Sequence, residues 1–215
     1  LKKVLASSET VFSPEIVRYK TLEDGDSLAL HIFKPRNMQA GEKRPAIVYF
    51  FGGGWKLGTP IQFYRECAYY ASKGMVAVSV DYRIGYLHHS TPFESFEDAK
   101  DAICWLRSHA SDYQLDPDKI AVAGGSAGGH LAAALGTIGS DETVPAGYRP
   151  NLSVLYYPVI DMVSRGYGFP EIKRDFEKIS PIHHVSEATP STLILLGTKD
   201  PIVSVETIEA YQDKL

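Results

Sequence analysis

The sequence predicts an α/β fold, in which a mostly parallel central sheet carries helices on both faces. Two observations predict it. Short runs of apolar and β-branched residues alternate along the chain with longer amphipathic or small-residue segments, which is the pattern of consecutive βαβ units. Several of these runs are apolar at almost every position, as is typical of strands buried on both faces of a parallel sheet.

The predicted strands fall into two kinds. Residues 27–34 alternate, with Leu28, Leu30 and Ile32 at every second position, and predict a strand of an antiparallel start to the sheet. The uninterrupted apolar runs predict strands inside the sheet, at residues 46–51, 75–80, 120–123, 152–157 and 193–196.

Helices are predicted between these strands. Residues 59–73 form one predicted helix that ends at Gly74, and residues 93–110 repeat apolar positions at steps of three and four. Another helix is expected directly after Ser126, and residues 205–215 resemble a further one. Residues 159–187 carry glycine and proline without a clear period and predict a short irregular excursion. We therefore expect residues 1–215 to form a single domain that is incomplete at its C-terminus.

Composition excludes several functions. The 215 residues carry a formal charge of −4, so no basic field is available to hold nucleic acid. No apolar run reaches the length of a membrane span, and no His/Asp/Glu cluster has the spacing of metal ligands. We expect no metal and no cofactor. The compartment stays open between the cytoplasm and secretion after removal of an upstream signal, and oligomeric state is undetermined.

The strongest chemical signal is the segment Gly124-Gly125-Ser126-Ala127-Gly128, which matches G-x-S-x-G. It follows an apolar strand and precedes an Ala/Leu-rich helix, the context that a nucleophile elbow requires. Small neighbours let the strand and helix approach closely, and the helix N-terminus favours negative charge developing near Ser126. The alternative is a glycine-rich turn of another kind, for example one that binds phosphate. Context favours Ser126 as a nucleophile.

A second signal is Phe51-Gly52-Gly53-Gly54-Trp55, directly after the strand at residues 46–50. Three consecutive glycines free the backbone to direct N–H groups at an oxyanion. Gly53 and Gly54 are the candidate donors, and the Ala127 N–H completes the predicted oxyanion hole.

The order of these motifs along the chain resembles a known family. Strand, GGGW, Asp81-Tyr82-Arg83, the DPDKI segment at residues 116–120 and then GGSAGGH are similar to the esterase/lipase group of α/β-hydrolases, which includes hormone-sensitive-lipase-like and acetyl-esterase-like enzymes. The resemblance runs from about Ser27 to the end. It implies the α/β-hydrolase fold, a Ser–Asp–His triad and ester hydrolysis without a cofactor. One departure is Phe51, where the family usually has a histidine that braces the glycine loop.

The acid of the implied triad is Asp200. It follows the strand at residues 193–196 within Gly197-Thr198-Lys199-Asp200-Pro201, and the family's G-x-x-D-P motif supplies the acid there. The expected chain order is Ser, Asp, His. Asp161 is the less favoured candidate for the acid. The alternative role for Asp200 is a structural one, as a turn or helix-cap residue.

The base is not found among the histidines of this sequence. All seven precede Asp200, and residues 201–215 contain none, so we expect the catalytic histidine beyond Leu215. Packing, capping or surface roles are predicted for the histidines that are present, which are His31, His88, His89, His109, His130, His183 and His184.

These features favour a serine carboxylesterase acting on short acyl esters through an acyl-enzyme, with an acetylated carbohydrate as one candidate substrate. Trp55 and Tyr82 are the candidate substrate-binding aromatics, together with Tyr167. Two alternatives remain: a hydrolase-like binding protein without turnover, and a serine peptidase on the same fold. Phe51 and the missing histidine favour the first alternative. The second is less favoured, because such peptidases usually carry an additional large domain and these residues provide none.

Overall fold

The computed structural model describes residues 13–139, 147–162 and 175–215. It contains a seven-stranded sheet with the strand order β1-β2-β4-β3-β5-β6-β7. The first two strands run antiparallel to their neighbours, and β4, β3, β5, β6 and β7 are parallel. The strands are β1 (Glu15–Thr21), β2 (Ser27–Phe33), β3 (Arg44–Phe50), β4 (Val76–Val80), β5 (Leu115–Gly125), β6 (Leu152–Tyr156) and β7 (Ser191–Leu195).

Helices connect the parallel strands, as the alternating pattern predicts. They are α1 (Tyr64–Ser72), α2 (Gly85–His88), α3 (Pro92–Ser108), α4 (Ala127–Thr137), α5 (Phe176–Ile179) and α6 (Val205–Gln212), with 3₁₀ turns at Pro60–Phe63 and Pro181–His183. Among the described helices, none combines the length and the apolar character that crossing a bilayer requires.

The predicted mostly parallel α/β fold is confirmed, with local differences. The single helix expected at residues 59–73 is a 3₁₀ turn at Pro60–Phe63 followed by α1. Gly74 does end α1, with a positive φ of 92°. The sequence prediction missed β1, whose residues are mostly exposed and polar.

The last predicted strand is less buried than its apolar run indicates. Leu193 and Leu195 are 55% and 44% exposed, because β7 lies at the edge of the described sheet and pairs only with β6. The strands β3 and β4, in contrast, are almost wholly buried. The core is therefore centred on β4, β3 and β5. The glycine loop at residues 52–54 follows the carboxyl end of β3, and Ser126 follows that of β5.

A buried ion cluster connects the antiparallel start to the rest of the fold. Asp98 of α3 is fully buried and accepts hydrogen bonds from Arg83, which follows β4, and from Lys20 of β1. The N–H groups of the Arg83 side chain lie 2.8 Å from the two carboxylate oxygens. Asp98 thus has cationic partners from two other parts of the sheet, which is how a buried carboxylate is retained. Arg83 of the Asp-Tyr-Arg motif has a structural role.

Candidate active site

Ser126 occupies the sharp turn between β5 and α4. Its φ of 54° and ψ of −118° are rare for a residue with a side chain, and such strain concentrates at functional sites. The Ser126 N–H donates to the carbonyl of Tyr156 at 3.0 Å, so the turn is fastened to the end of β6. The side chain is only partly buried. This is the geometry of a nucleophile elbow.

Close backbone contacts force the residues around Ser126 to be glycine. A Cβ on Gly128 would lie 2.0 Å from the carbonyl oxygen of Phe50, and one on Gly124 would lie 2.3 Å from the carbonyl oxygen of Gly128. Neither position can carry a larger residue without moving β3, β5 or α4. The glycines thus allow α4 to start immediately above the two central strands.

The predicted oxyanion loop lies against this elbow. A Cβ on Gly52 would be 2.9 Å from the carbonyl oxygen of Gly125 and 3.5 Å from Cβ of Ser126. Gly53 and Gly54 have φ values of 136° and 61°, so the chain turns back on itself directly beside the nucleophile. The structure therefore brings together the two glycine motifs that lie more than 70 residues apart in the sequence.

Three contacts hold this loop in place of the absent histidine. The side chain of Gln62 accepts a hydrogen bond from the Gly52 N–H at 2.5 Å. The hydroxyl of Tyr82 donates to the carbonyl of Phe51 at 2.6 Å, and the two rings stack with centroids 4.1 Å apart. Because the Gly52 N–H is already used, the candidate oxyanion donors are those of Gly53 and Gly54. Sequence reasoning missed Gln62, since no motif or spacing marks it.

The two aromatics expected to contact substrate are both buried. Tyr82 is fully buried, so it reaches the site only through the loop that it holds. Trp55 is 1% exposed and packs edge-on against His130, with ring centroids 5.1 Å apart. Trp55 also lines a cavity of about 170 Å³ between the oxyanion loop and the start of α3. Tyr167 lies outside the described residues.

Asp200 lies in a turn after β7. Its carboxylate accepts hydrogen bonds from the N–H groups of Ile202 and Val203 at 2.8 and 2.9 Å. These two hydrogen bonds lower the pKa of Asp200, and the bond from the Val203 N–H has the larger effect. The group is therefore an anion at neutral pH, as an acid that orients an imidazolium must be. The same contacts also make it a turn residue, so both expected roles are compatible with this geometry.

Ser126 and Asp200 follow strands that are not neighbours in the sheet. Ser126 follows β5 and Asp200 follows β7, with β6 between them. Neighbouring strands lie about 4.8 Å apart, so the ends of β5 and β7 are separated by about 10 Å.

Within the described residues, no histidine is hydrogen-bonded to Ser126 or Asp200. His130, four residues after Ser126, is fully buried and pairs through Nε2 with the carbonyl of Ile179 at 2.6 Å. Burial lowers the pKa of His130 to about 4. Other histidines contact groups elsewhere: His31 with Tyr64, His88 with the Ile84 N–H, His109 with Trp105, His183 with Asp161, and His184 with the Glu177 carbonyl.

The fold and this site together define an α/β-hydrolase of the esterase/lipase group. Solved structures of the esterase Est2 of Thermogutta terrifontis share the fold: the native form has a TM-score of 0.86 at 35% identity, over 94% of this chain and 76% of that one. The propionate-bound form has a TM-score of 0.85 at 36% identity, over 94% and 78%. The BD-FAE family model matches residues 30–165, and the chain therefore belongs to the BD-FAE family.

Curated relatives are also ester hydrolases. The esterase LipC of Mycobacterium tuberculosis is 28% identical over 89% of this chain and 53% of its own length. An acetylxylan esterase of Xylanibacter ruminicola is 26% identical over 86% of this chain and 39% of its own length. The chain spans about half the length of the first of these relatives.

Proposed function

We propose that this chain carries the nucleophile and the acid of a serine carboxylesterase. The observation that carries the proposal is the strained Ser126 directly beside a glycine loop whose N–H groups at Gly53 and Gly54 remain available to an oxyanion. The Ala127 N–H is the third donor, because the first N–H groups of a helix have no partner within it.

The reaction proceeds in two steps. The Ser126 oxygen bonds to the ester carbonyl carbon as a base removes its proton, and the carbonyl oxygen becomes an oxyanion held by the three N–H groups. The intermediate then expels the alcohol, which takes the proton from the base and leaves an acyl-enzyme. Water, deprotonated by the same base, releases the carboxylic acid and restores Ser126. Asp200 orients the base and stabilises its cationic form.

The base of this proposal is a histidine beyond Leu215. Two facts support it: residues 201–215 contain no histidine, and the chain matches only about three quarters of the Est2 chain. The gap of about 10 Å between the ends of β5 and β7 suits an imidazole.

Short acyl esters are the proposed substrates. Support comes from Est2, whose structures include propionate-bound and butyrate-bound forms. The acetylxylan esterase among the relatives favours an acetylated carbohydrate as the natural ester. A second candidate function is ligand binding without turnover, which is favoured by the absence of any histidine contact to Ser126 in the described residues.

One experiment separates these two functions. The full-length protein is tested on the p-nitrophenyl esters of acetate, butyrate and a longer acid, beside Ser126→Ala and a matched surface variant, Ser108→Ala. We expect turnover that falls with acyl length, disappears in Ser126→Ala and persists in Ser108→Ala. Paraoxon, which phosphorylates Est2, is added in parallel, and a mass gain mapped to Ser126 is expected. An inert wild type without this adduct would favour the binding protein.

A further inference from the structure

Tyr157 lies on the opposite side of the elbow from the oxyanion loop. In the sheet, β5 is flanked by β3 on one side and β6 on the other. Residues 52–54 follow β3, whereas Tyr157 is the first residue after β6. A substrate bonded to Ser126 must therefore lie between the glycine loop and Tyr157.

The ring of Tyr157 covers the residue that precedes the nucleophile. A Cβ on Gly125 would lie 2.9 Å from the Tyr157 hydroxyl oxygen and 3.2 Å from Cζ. Tyr157 is 43% exposed, so the described residues cover only part of its ring. Its hydroxyl end occupies the space that a side chain at position 125 would otherwise take.

The backbone of Tyr157 is held in an unfavourable conformation. Its φ of 38° is an outlier for an aromatic residue, all the more because Pro158 follows. Two hydrogen bonds fix the preceding peptide: the Ser126 N–H donates to the Tyr156 carbonyl at 3.0 Å, and the Tyr157 N–H donates to the Leu195 carbonyl at 2.7 Å. The orientation of the ring is thus set by the same contacts that set the elbow.

The side of the elbow on which Tyr157 lies is that of the leaving alcohol. This step rests on the proposed function. Asp200 follows β7, beyond β6, so a base between Asp200 and Ser126 stands over β6. That base must pass its proton to the departing alcohol oxygen, while the carbonyl oxygen points toward the glycine loop. The alcohol portion of the ester is therefore next to Tyr157.

We propose that Tyr157 determines the specificity of the site for the alcohol portion of the ester. Its ring forms the wall that limits the size of this group. Residue 125 is glycine because a side chain there would occupy the space of the ring. Removing the ring enlarges the site, and a methyl group on residue 125 pushes the ring toward the substrate.

The test compares phenyl acetate with 1-naphthyl acetate, which share the acyl group and differ in the size of the alcohol. The full-length wild type is measured beside Tyr157→Ala, Tyr157→Leu, Tyr157→Phe, Gly125→Ala and Gly125→Ala/Tyr157→Ala. The readout is the ratio of kcat/KM for the naphthyl ester to that for the phenyl ester. The matched control is Tyr69→Ala, because Tyr69 is a 56% exposed tyrosine of α1 whose ring contacts Tyr70 and Lys73.

We expect the ratio to rise about 10-fold in Tyr157→Ala and less in Tyr157→Leu, and to keep its wild-type value in Tyr157→Phe and Tyr69→Ala. It falls in Gly125→Ala, and this fall disappears in the double variant. A parallel loss on both esters, with an unchanged ratio in every variant that folds, would overturn the inference and leave Tyr157 a structural residue. Absence of Ser126-dependent turnover in wild type would overturn the proposed function together with it.

Discussion

The elbow and the acid turn are built in different ways. At the elbow, a Cβ on Gly128 would lie 2.0 Å from the carbonyl oxygen of Phe50, and a Cβ on Gly52 would lie 2.9 Å from that of Gly125. At the acid turn, a Cβ on Gly197 would have no described heavy atom within 4 Å, and in the described residues two N–H groups of its own turn hold the Asp200 carboxylate. Ser126, the proposed nucleophile, is therefore positioned by packing between distant segments, whereas Asp200, the proposed acid, is positioned by local hydrogen bonds. Substitutions in the two regions should consequently affect different quantities.

The largest expected effect is that of Asp200→Asn on catalysis. Asparagine keeps an oxygen for the Ile202 and Val203 N–H groups, so the turn and the unfolding free energy should change little. It removes the negative charge that orients the base, and we expect kcat to fall about 10⁴-fold. The measurement is p-nitrophenyl acetate turnover together with the Tm of both proteins.

The matched variant for this comparison is Asp161→Asn. Asp161 follows β6 and lies 3.6 Å from Nε2 of His183, away from the acid turn. We expect Asp161→Asn to retain turnover. If instead Asp161→Asn is inert and Asp200→Asn active, Asp161 is the acid and the assignment is reversed.

The next effect is on stability, and it compares the same substitution in both regions. Gly128→Ala places a methyl group against the Phe50 carbonyl, and we expect it to lower the unfolding free energy by about 3 kcal/mol. Gly197→Ala meets no atoms and should change stability by less than about 1 kcal/mol, in the stabilising direction, because it restricts the unfolded chain. Urea unfolding measures both. Equal losses in the two variants would contradict the contrast between packed and open turns.

The same contrast explains how much the sequence could predict. The sequence predicts the elbow at Ser126 and the glycine loop because close backbone contacts at these places require glycine, and the resulting glycine motifs can be recognised in the sequence. The parallel sheet followed from apolar runs such as that of β3, because burial on both faces removes alternation. Both signals arise from local constraints that act directly on residue type.

The features that the sequence could not predict depend on distant partners. Gln62 braces the loop through a single hydrogen bond to Gly52, and many residues at position 62 would be compatible with a 3₁₀ turn. Tyr82 was expected at the substrate because it is aromatic, yet it is buried against Phe51.

The smallest expected effect concerns the hydrogen bond between Gln62 and Gly52. Gln62→Ala leaves the Gly52 N–H without its side-chain acceptor at 2.5 Å, so the neighbouring donors at Gly53 and Gly54 lose part of their orientation. We expect kcat to fall between about 10- and 100-fold with little change in KM, since an oxyanion forms only in the transition state.

Two further variants show whether this bond acts on the oxyanion. Gln62→Glu restores an acceptor and should recover part of the lost kcat. Gln114→Ala removes a side-chain bond to the Gln39 carbonyl just before the amino end of β5, far along the strand from the elbow, and should leave kcat at the wild-type value. If Gln62→Ala raised KM with kcat unchanged, the side chain would act on substrate binding and not on the loop. In that case the orientation of the proposed oxyanion donors would depend on the glycine contacts and on the hydrogen bond from Tyr82 to Phe51 more than on Gln62.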